Sequence, residues 1–314
     1  TPPTNPKMPE SSPYWADEVI WTSKNNVHNP MLDHKGRVWL TSAVRPAANP
    51  PECKEGSSHP SAKLFPVANA GRHLAVYDPA TKKLTHIGTC FGTHHLMFAE
   101  DANQTLWTSG GGQVIGWLNT KMFDETQDEM KSQGWTALIR DANGNGKRDA
   151  YVEPNQPLDP TKDQRIGGAL YAVAPAPDGS VWGTQLGYPG AIIRLSPGSN
   201  PPETAITEIF EPPLDKGYSP RGGDVDRNGV YWAAMASGHM ASFDRRKCKA
   251  RLNGPEATGQ HCPEGWALYP LPGPNYKGAV DSASADTAYY NFVDRFDMLG
   301  IGKDVPLATG NGSE

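Results

Sequence analysis

One spacing constrains this chain more than any other: a Gly three residues ahead of a Trp, recurring in the same surroundings. It occurs as Gly36 and Trp39, Gly179 and Trp182, and Gly229 and Trp232. The segments 33–42, 100–110, 176–185 and 225–235 share one order: a turn, a short apolar strand carrying the Trp, then small residues. Asn-Gly and Asp-Gly supply the positive φ of a tight hairpin turn, and Val-Trp or Tyr-Trp enters the next strand. In the second copy Gln104 stands where the Gly should be, which predicts a wider turn before Trp107.

Each Trp strand is followed by a second apolar strand, at 71–79, 112–119, 190–197 and 238–245. A third, alternating strand comes next, at 83–89, 135–141, 205–212 and 266–272. Units of three or four short antiparallel strands in tandem predict an all-β fold, a β-propeller, with a sandwich of recurring hairpins as the weaker alternative. Residues 21–272 then hold about four recognisable blades, preceded by an extended segment over 1–20. Insertions at 43–70, 119–166 and 248–262 lengthen the units and are the natural seats of binding. Past Pro272 the repeat fades. Residues 284–299 read as a capped amphipathic helix or an irregular excursion, and 305–314 as a turn-like end with no strand behind it. The segment 273–314 would complete or lead into a further blade, as part of a larger propeller of about seven blades.

Composition closes off other classes. Gly and Pro number 33 and 30 of 314 residues, too many for a helical bundle, while 9 Trp, 11 Tyr and 8 Phe argue against disorder. No apolar run is long enough to span a membrane, and a net charge of -5 without a basic block argues against nucleic acid. The opening at Thr1, Pro-rich and polar, reads as a mature or excised chain. Four cysteines, Cys53, Cys90, Cys248 and Cys262, suit two disulfides and an oxidising compartment, four free thiols being the alternative. Closing the Cys248–Cys262 loop would stabilise the chain by roughly 3 kcal/mol, and Cys53 and Cys90 would form the other pair.

The run Pro177-Asp178-Gly179-Ser180-Val181-Trp182, followed by Gly190-Ala191-Ile192-Ile193-Arg194-Leu195, resembles the virginiamycin B lyase-like propellers over roughly residues 20–270. More narrowly, residues 93–111, 141–157 and 219–248 resemble large bacterial secreted proteins. In that group such a propeller follows a carboxypeptidase-regulatory-like domain and a cytochrome c domain. The resemblance implies a periplasmic or extracellular chain, with remaining blades or a cytochrome c domain of the same parent polypeptide as partners. No Cys-x-x-Cys-His is present, so no haem is expected here. Lyases of the virginiamycin type use a His base with Mg²⁺ held by carboxylates, and no motif carries those residues individually into this sequence.

In those propellers a His commonly stands eleven residues before the blade Trp, at the start of the channel-lining strand. The matching positions here are His28, Tyr171 and Arg221. In the second unit the position is Leu96, and a one-residue slip in the altered turn would place His95 there. His28, His95, Tyr171 and Arg221 would then meet at one end of the channel, able to bind a small anionic ligand or a metal, or to move protons. The bland alternative is that each caps a strand end. Strict alternation of side chains would send His94 to the opposite face from His95. A copper site would draw on His28, His73, His95 and His239.

The loop Asp141, Asn143, Asn145, Lys147, Asp149 matches the first part of a calcium loop, with Gly146 at its sharp turn and Glu153 as the late closing carboxylate. A structural Ca²⁺ is expected there, against a plain Asn-Gly turn. No nucleophile motif or phosphate loop occurs. Three functions stay open: a lyase-like enzyme at the channel mouth, a non-catalytic docking propeller working through its insertions, and a copper-dependent periplasmic oxidoreductase module partnered with a cytochrome c.

Overall fold

A computed structural model describes residues 27–274, 284 and 286–310. The extended segment expected over 1–20 lies outside them. Four four-stranded antiparallel units follow one another along the chain, each with its strands in sequence order, the third belonging to a seven-stranded sheet that three short strands extend at its outer edge. The first comprises β1 (His28–Leu32), β2 (Val38–Ser42), β3 (His73–Asp78) and β4 (Lys83–Ile87). The second comprises β5 (Gly92–Phe98), β6 (Thr105–Gly111), β7 (Val114–Asn119) and β8 (Gln133–Ala137). Three short strands intervene, β9 (Ile139–Arg140), β10 (Tyr151–Val152) and β11 (Asp163–Arg165). The third blade holds β12 (Val173–Pro175), β13 (Val181–Gln185), β14 (Ala191–Ser196) and β15 (Ile206–Phe210). The fourth holds β16 (Pro220–Val225), β17 (Tyr231–Met235), β18 (His239–Phe243) and β19 (Trp266–Pro270). A hairpin of β20 (Ala288–Asp294) and β21 (Val305–Gly310) follows. The first strand of each sheet touches that of the next, β1 on β5, β5 on β12, β12 on β16 and β16 on β20. That is the order of blades around a propeller axis.

The turn residues act as their types predict. Gly36, Gly179 and Gly229 take φ of +74°, +80° and +77°. An aspartate opens the first and third of these turns and also holds the blade Trp, Asp33 accepting from Trp39 Nε1 at 2.9 Å and Asp226 from Trp232 Nε1 at 3.3 Å. Gln104 reaches the left-handed region without being Gly, at φ +50°. Its turn is wider by two residues, not one. Trp39, Trp182 and Trp232 pair with Met31, Ala174 and Asp224, eight residues back, whereas Trp107 pairs with Met97, ten back.

The core is divided among the seams between blades. Trp39, Leu74, Ile87, Leu96, Leu106 and Leu118 fill the first seam. Trp107, Ile115, Val173, Ile193 and Leu195 fill the second. Trp182, Phe210, Tyr231, Met235 and Phe243 fill the third. Truncating a buried Trp such as Trp39 would cost about 3–5 kcal/mol. The insertion at 43–70 is fastened to the second blade rather than left free. Cys53 bonds Cys90, and Ala62, Phe91 and Trp135 pack beside them. His59 stacks on Trp135 at 4.7 Å and bonds the carbonyls of Met130 and Gln133. Cys248 bonds Cys262.

Two sequence expectations fail at the C-terminal end. Residues 288–294 form a strand instead of a helix, because Ala288, Tyr290 and Asn291 are buried against the fourth blade in extended backbone. Residues 305–310 supply its partner strand rather than a bare turn. A third difference lies at 135–141, expected as one strand. The chain leaves the second blade after Ala137, and β9 pairs with β15 at the outer edge of the third.

His73 has no solvent exposure, and burial holds its imidazole down at about 4, with Arg45 adding to the effect. The unfolded chain therefore binds a proton at about 6.5 that the fold refuses until about 4. Stability is expected to be level above pH 6.5 and to fall as pH drops from there toward 4. Urea midpoints measured across that range should show the slope, and His73→Gln should flatten part of it.

Candidate functional site

The start of each first strand carries an irregularity. His94 and His95 together face Ser109, flanked by the pairs Thr93–Gly110 and Leu96–Thr108. Arg221 and Gly222 face Ala234 in the same way, and Tyr289 and Tyr290 face Thr309. In the third blade Tyr171 and Ala172 both bond Thr184, through its carbonyl and its hydroxyl. In the first, a bulge one step further along leaves His28 opposite Thr41. These are β-bulges, two residues against one, which re-aim side chains at a strand end.

The bulges sort the residues into two layers. His28, His94, Tyr171, Arg221 and Tyr289 form a half-exposed rim. His95, Ala172, Gly222 and Tyr290 lie buried beneath it. The true counterpart of Tyr171 and Arg221 in the second blade is therefore His94, and His95 sits one place deeper. The alternation that would separate His94 from His95 is cancelled by the bulge, so both imidazoles reach the same space. Gly110 makes this possible: a Cβ there, at φ +84°, would stand 2.1 Å from His94 Cβ.

Within the rim His28 stacks on His94 with centroids 4.3 Å apart, and His94 meets His95 edge-on at 4.1 Å. Tyr171 lies 5.4 Å from His94 and 4.7 Å from His95. Tyr289 lies 6.0 Å from Tyr171, and the Arg221 guanidinium caps the Tyr289 ring at 4.6 Å. Across the axis, Tyr290 touches His95 at 5.4 Å. All four residues expected from sequence thus fall in one region, joined by His94, Tyr289 and Tyr290. Tyr289 and Tyr290 lie on a strand whose sequence pattern suggests a helix or an irregular excursion, so register counting does not reach them.

The electrostatics are those of a neutral base beside fixed cations. Burial brings His94 and His95 to about 4, with neighbouring histidines and Arg72 adding to it. Burial also lowers His28. The three imidazoles are therefore unprotonated near neutrality. Burial and the neighbouring Tyr289 push the Tyr171 hydroxyl up, so it stays a proton-bearing donor. Tyr171 Oη and Arg221 Nε are buried without a well-formed hydrogen bond among the described residues. A cavity of about 460 Å³ opens beside Tyr171 between the second and third blades, lined also by His94, Gly110, Gly168 and Gln185.

The other expected sites lie elsewhere. Of the four histidines expected to supply a copper site, His73 bonds Thr89 and His239 bonds Ser237, and neither stands in the metal-capable group that holds His28 and His95. The group of metal-capable side chains found among the described residues is His28, His94 and His95, with ligand atoms all within 4.8 Å of one another. It holds no carboxylate, so it does not suit a Mg²⁺ centre of the virginiamycin lyase kind. In the loop at 141–153, Asp141 accepts the N–H groups of Gly144, Asn145 and Gly146. Asn143 and Asn145 direct their amide nitrogens at Asp149. Glu153 pairs with Arg165 instead of closing the loop. The loop is closed by Asp163, fully buried, which accepts from the N–H groups of Ala142 and Asp149.

No family model and no curated protein matches the sequence. Solved structures do resemble it. A streptogramin B lyase is 14% identical with a TM-score of 0.40, over 79% of this chain and 55% of its own. This chain therefore spans about half of that protein's length. A putative gluconolactonase is 13% identical with a TM-score of 0.41, over 92% of this chain and 77% of its own. The virginiamycin B lyase of Staphylococcus aureus, solved with quinupristin, is 11% identical with a TM-score of 0.37, over 90% and 83%. The propeller architecture itself rests on the blades and their order.

Two substitutions probe the site's frame. Gly110→Ala should destabilise the fold by about 2–4 kcal/mol through contact with His94 and a disfavoured φ. Gly112→Ala, at φ +91° with open space around it, should cost only about 1 kcal/mol. Asp163→Ala should cost about 2–4 kcal/mol by stranding two buried N–H groups. Guanidinium denaturation of the three variants checks all of these.

Proposed function

We propose that this propeller binds and acts on a small anionic molecule at the mouth of its channel, outside the cytoplasm. The observation that carries this reading is the rim itself. Four blades and the hairpin each deliver one polar or aromatic side chain at the same register, and His28, His94, Tyr171, Arg221 and Tyr289 converge. Arg221, its ring-stacked guanidinium still holding donors free, is suited to a carboxylate or an enolate oxygen. Neutral His94 or His28 is suited to take a proton from the carbon next to such a group, and Tyr171 to hydrogen-bond the charge that develops. Those parts make a lyase-like elimination the chemistry we favour. Two disulfides support an oxidising compartment. The insertions support a binding role less well, since those at 43–70 and 248–262 are anchored to the blades. A Ca²⁺ at the loop from Asp141 would serve the scaffold in this reading, rigidifying the outer rim far from the chemistry.

A thermal-shift titration with acetate, lactate, succinate and citrate tests the proposal. At least one is expected to raise the melting temperature saturably, with affinity falling about tenfold or more in Arg221→Met and in Tyr171→Phe. Equal shifts in all three proteins would overturn it.

A further inference from the structure

We infer that His28, His94 and His95 form a mononuclear site for a late first-row divalent metal, Zn²⁺ or Cu²⁺, with an open position toward Tyr171 and Arg221. The inference deepens the channel-mouth reading, resting on it for the identity of the molecule that fills that open position, and it replaces the base role given there to His28 and His94, whose lone pairs the metal would take.

Three features of the structure carry it. The first is convergence: one imidazole from the first blade and two from the second, with ligand atoms within 4.8 Å of one another. At metal–nitrogen distances of ~2.0–2.1 Å those nitrogens would stand roughly 3.3 Å apart, so binding draws the rings together by side-chain rotation. The stacked pair His28 and His94, at an interplanar angle of 9°, would tilt open to do so.

The second is orientation of the buried ligand. His95 Nδ1 lies 2.8 Å from the Tyr171 carbonyl, an acceptor, so Nδ1 carries the proton and donates it. Nε2 is left as the lone-pair nitrogen. A ligating His held by a backbone carbonyl through its other nitrogen is the usual outer-shell arrangement of metal sites. The same carbonyl accepts from Ser109 Oγ, which fixes its direction. The two ligands of the second blade are adjacent in sequence, and only the bulge at Ser109 lets them share one target.

The third is donor chemistry. Three imidazoles without a carboxylate make a neutral, nitrogen-only set, which favours zinc and copper over magnesium and calcium. Three protein ligands leave a four-coordinate ion one position, as catalytic sites do and structural ones do not. Arg221 and Arg72 nearby make an anion the natural occupant of that position, bridging metal and guanidinium.

The test uses the full chain stripped with a chelator and titrated calorimetrically with ZnCl₂ and, separately, CuCl₂. One ion per chain is expected, with Kd below about 1 µM for Zn²⁺ and tighter for Cu²⁺. Millimolar Mg²⁺ and Ca²⁺ should not compete. His28→Ala and His94→Ala should each weaken Zn²⁺ by about 100-fold or more, while His34→Ala, on the exposed first turn, should match the parent. Co²⁺ should give the intense visible bands of a four-coordinate ion, lost in the same two variants. Should His94→Ala fail to fold by circular dichroism, His28→Gln gives the same readout from a half-exposed position. Binding that is substoichiometric, or equal in parent and His28 variants, overturns the metal site. Carboxylate binding measured on the stripped protein separates the two readings. If it persists there without any metal affinity, only the metal site falls; if metal binds and no carboxylate does, the channel-mouth ligand falls and the metal site stands.

Discussion

A hydroxyl beside a bulged strand is the contact on which this architecture turns. Doubling residues opposite one partner strips backbone groups of their ladder bonds, and a stranded buried group costs about 1–3 kcal/mol. Thr41 answers in the first blade, accepting from the His28 N–H and donating to its carbonyl. Thr309 does the same for Tyr290. Ser109 and Thr184 reach further, to the carbonyls of Tyr171 and Arg221 in the next blade. One side-chain type at one register therefore both repairs a strand and ties neighbouring blades together at the axis.

Further out, the seams are held by different means. Each blade Trp or its neighbours packs an apolar cluster against the adjoining sheet, and the insertions bridge the outer edges. Arg140, on the strand that crosses from the second blade to the third, bonds the carbonyls of Gly254 and Ala257 in the loop closed by Cys248 and Cys262. Arg148 donates to Thr136 in the second blade and to the Ala205 carbonyl in the third. Buried guanidiniums can be kept here because each meets several carbonyl oxygens and hydroxyls.

Much of the fold was legible because the turn chemistry and the Trp are local. Gly36, Gly179 and Gly229 had to adopt positive φ, and their spacing to the Trp located three of the four second strands. The site was legible only as far as register could be counted. His28, Tyr171 and Arg221 stand where counting placed them, since their turns are of equal length. His94 was missed twice over, by a turn two residues longer than its siblings and by a bulge that breaks alternation. Neither leaves a mark at His94; the signals lie at Gln104 and Gly110. The hairpin at 288–310 was lost because Tyr289, Tyr290 and Phe292 read alike as helix face or strand until burial decides.

The rim positions differ from the rest of the blade in one further respect. At His28, Tyr171 and Arg221 the backbone is held by the hydroxyl of Thr41, Ser109 or Thr184 and the side chain is half in solvent, so little of the core is built on those side chains. His, Tyr and Arg already occupy equivalent places in one molecule. A propeller of this design can exchange its reactive groups blade by blade, as interchangeable heads on a common shaft, without reopening the packing of the seams. Chemistry and folding are thereby placed on separate residues, and a lineage could alter the first while inheriting the second intact.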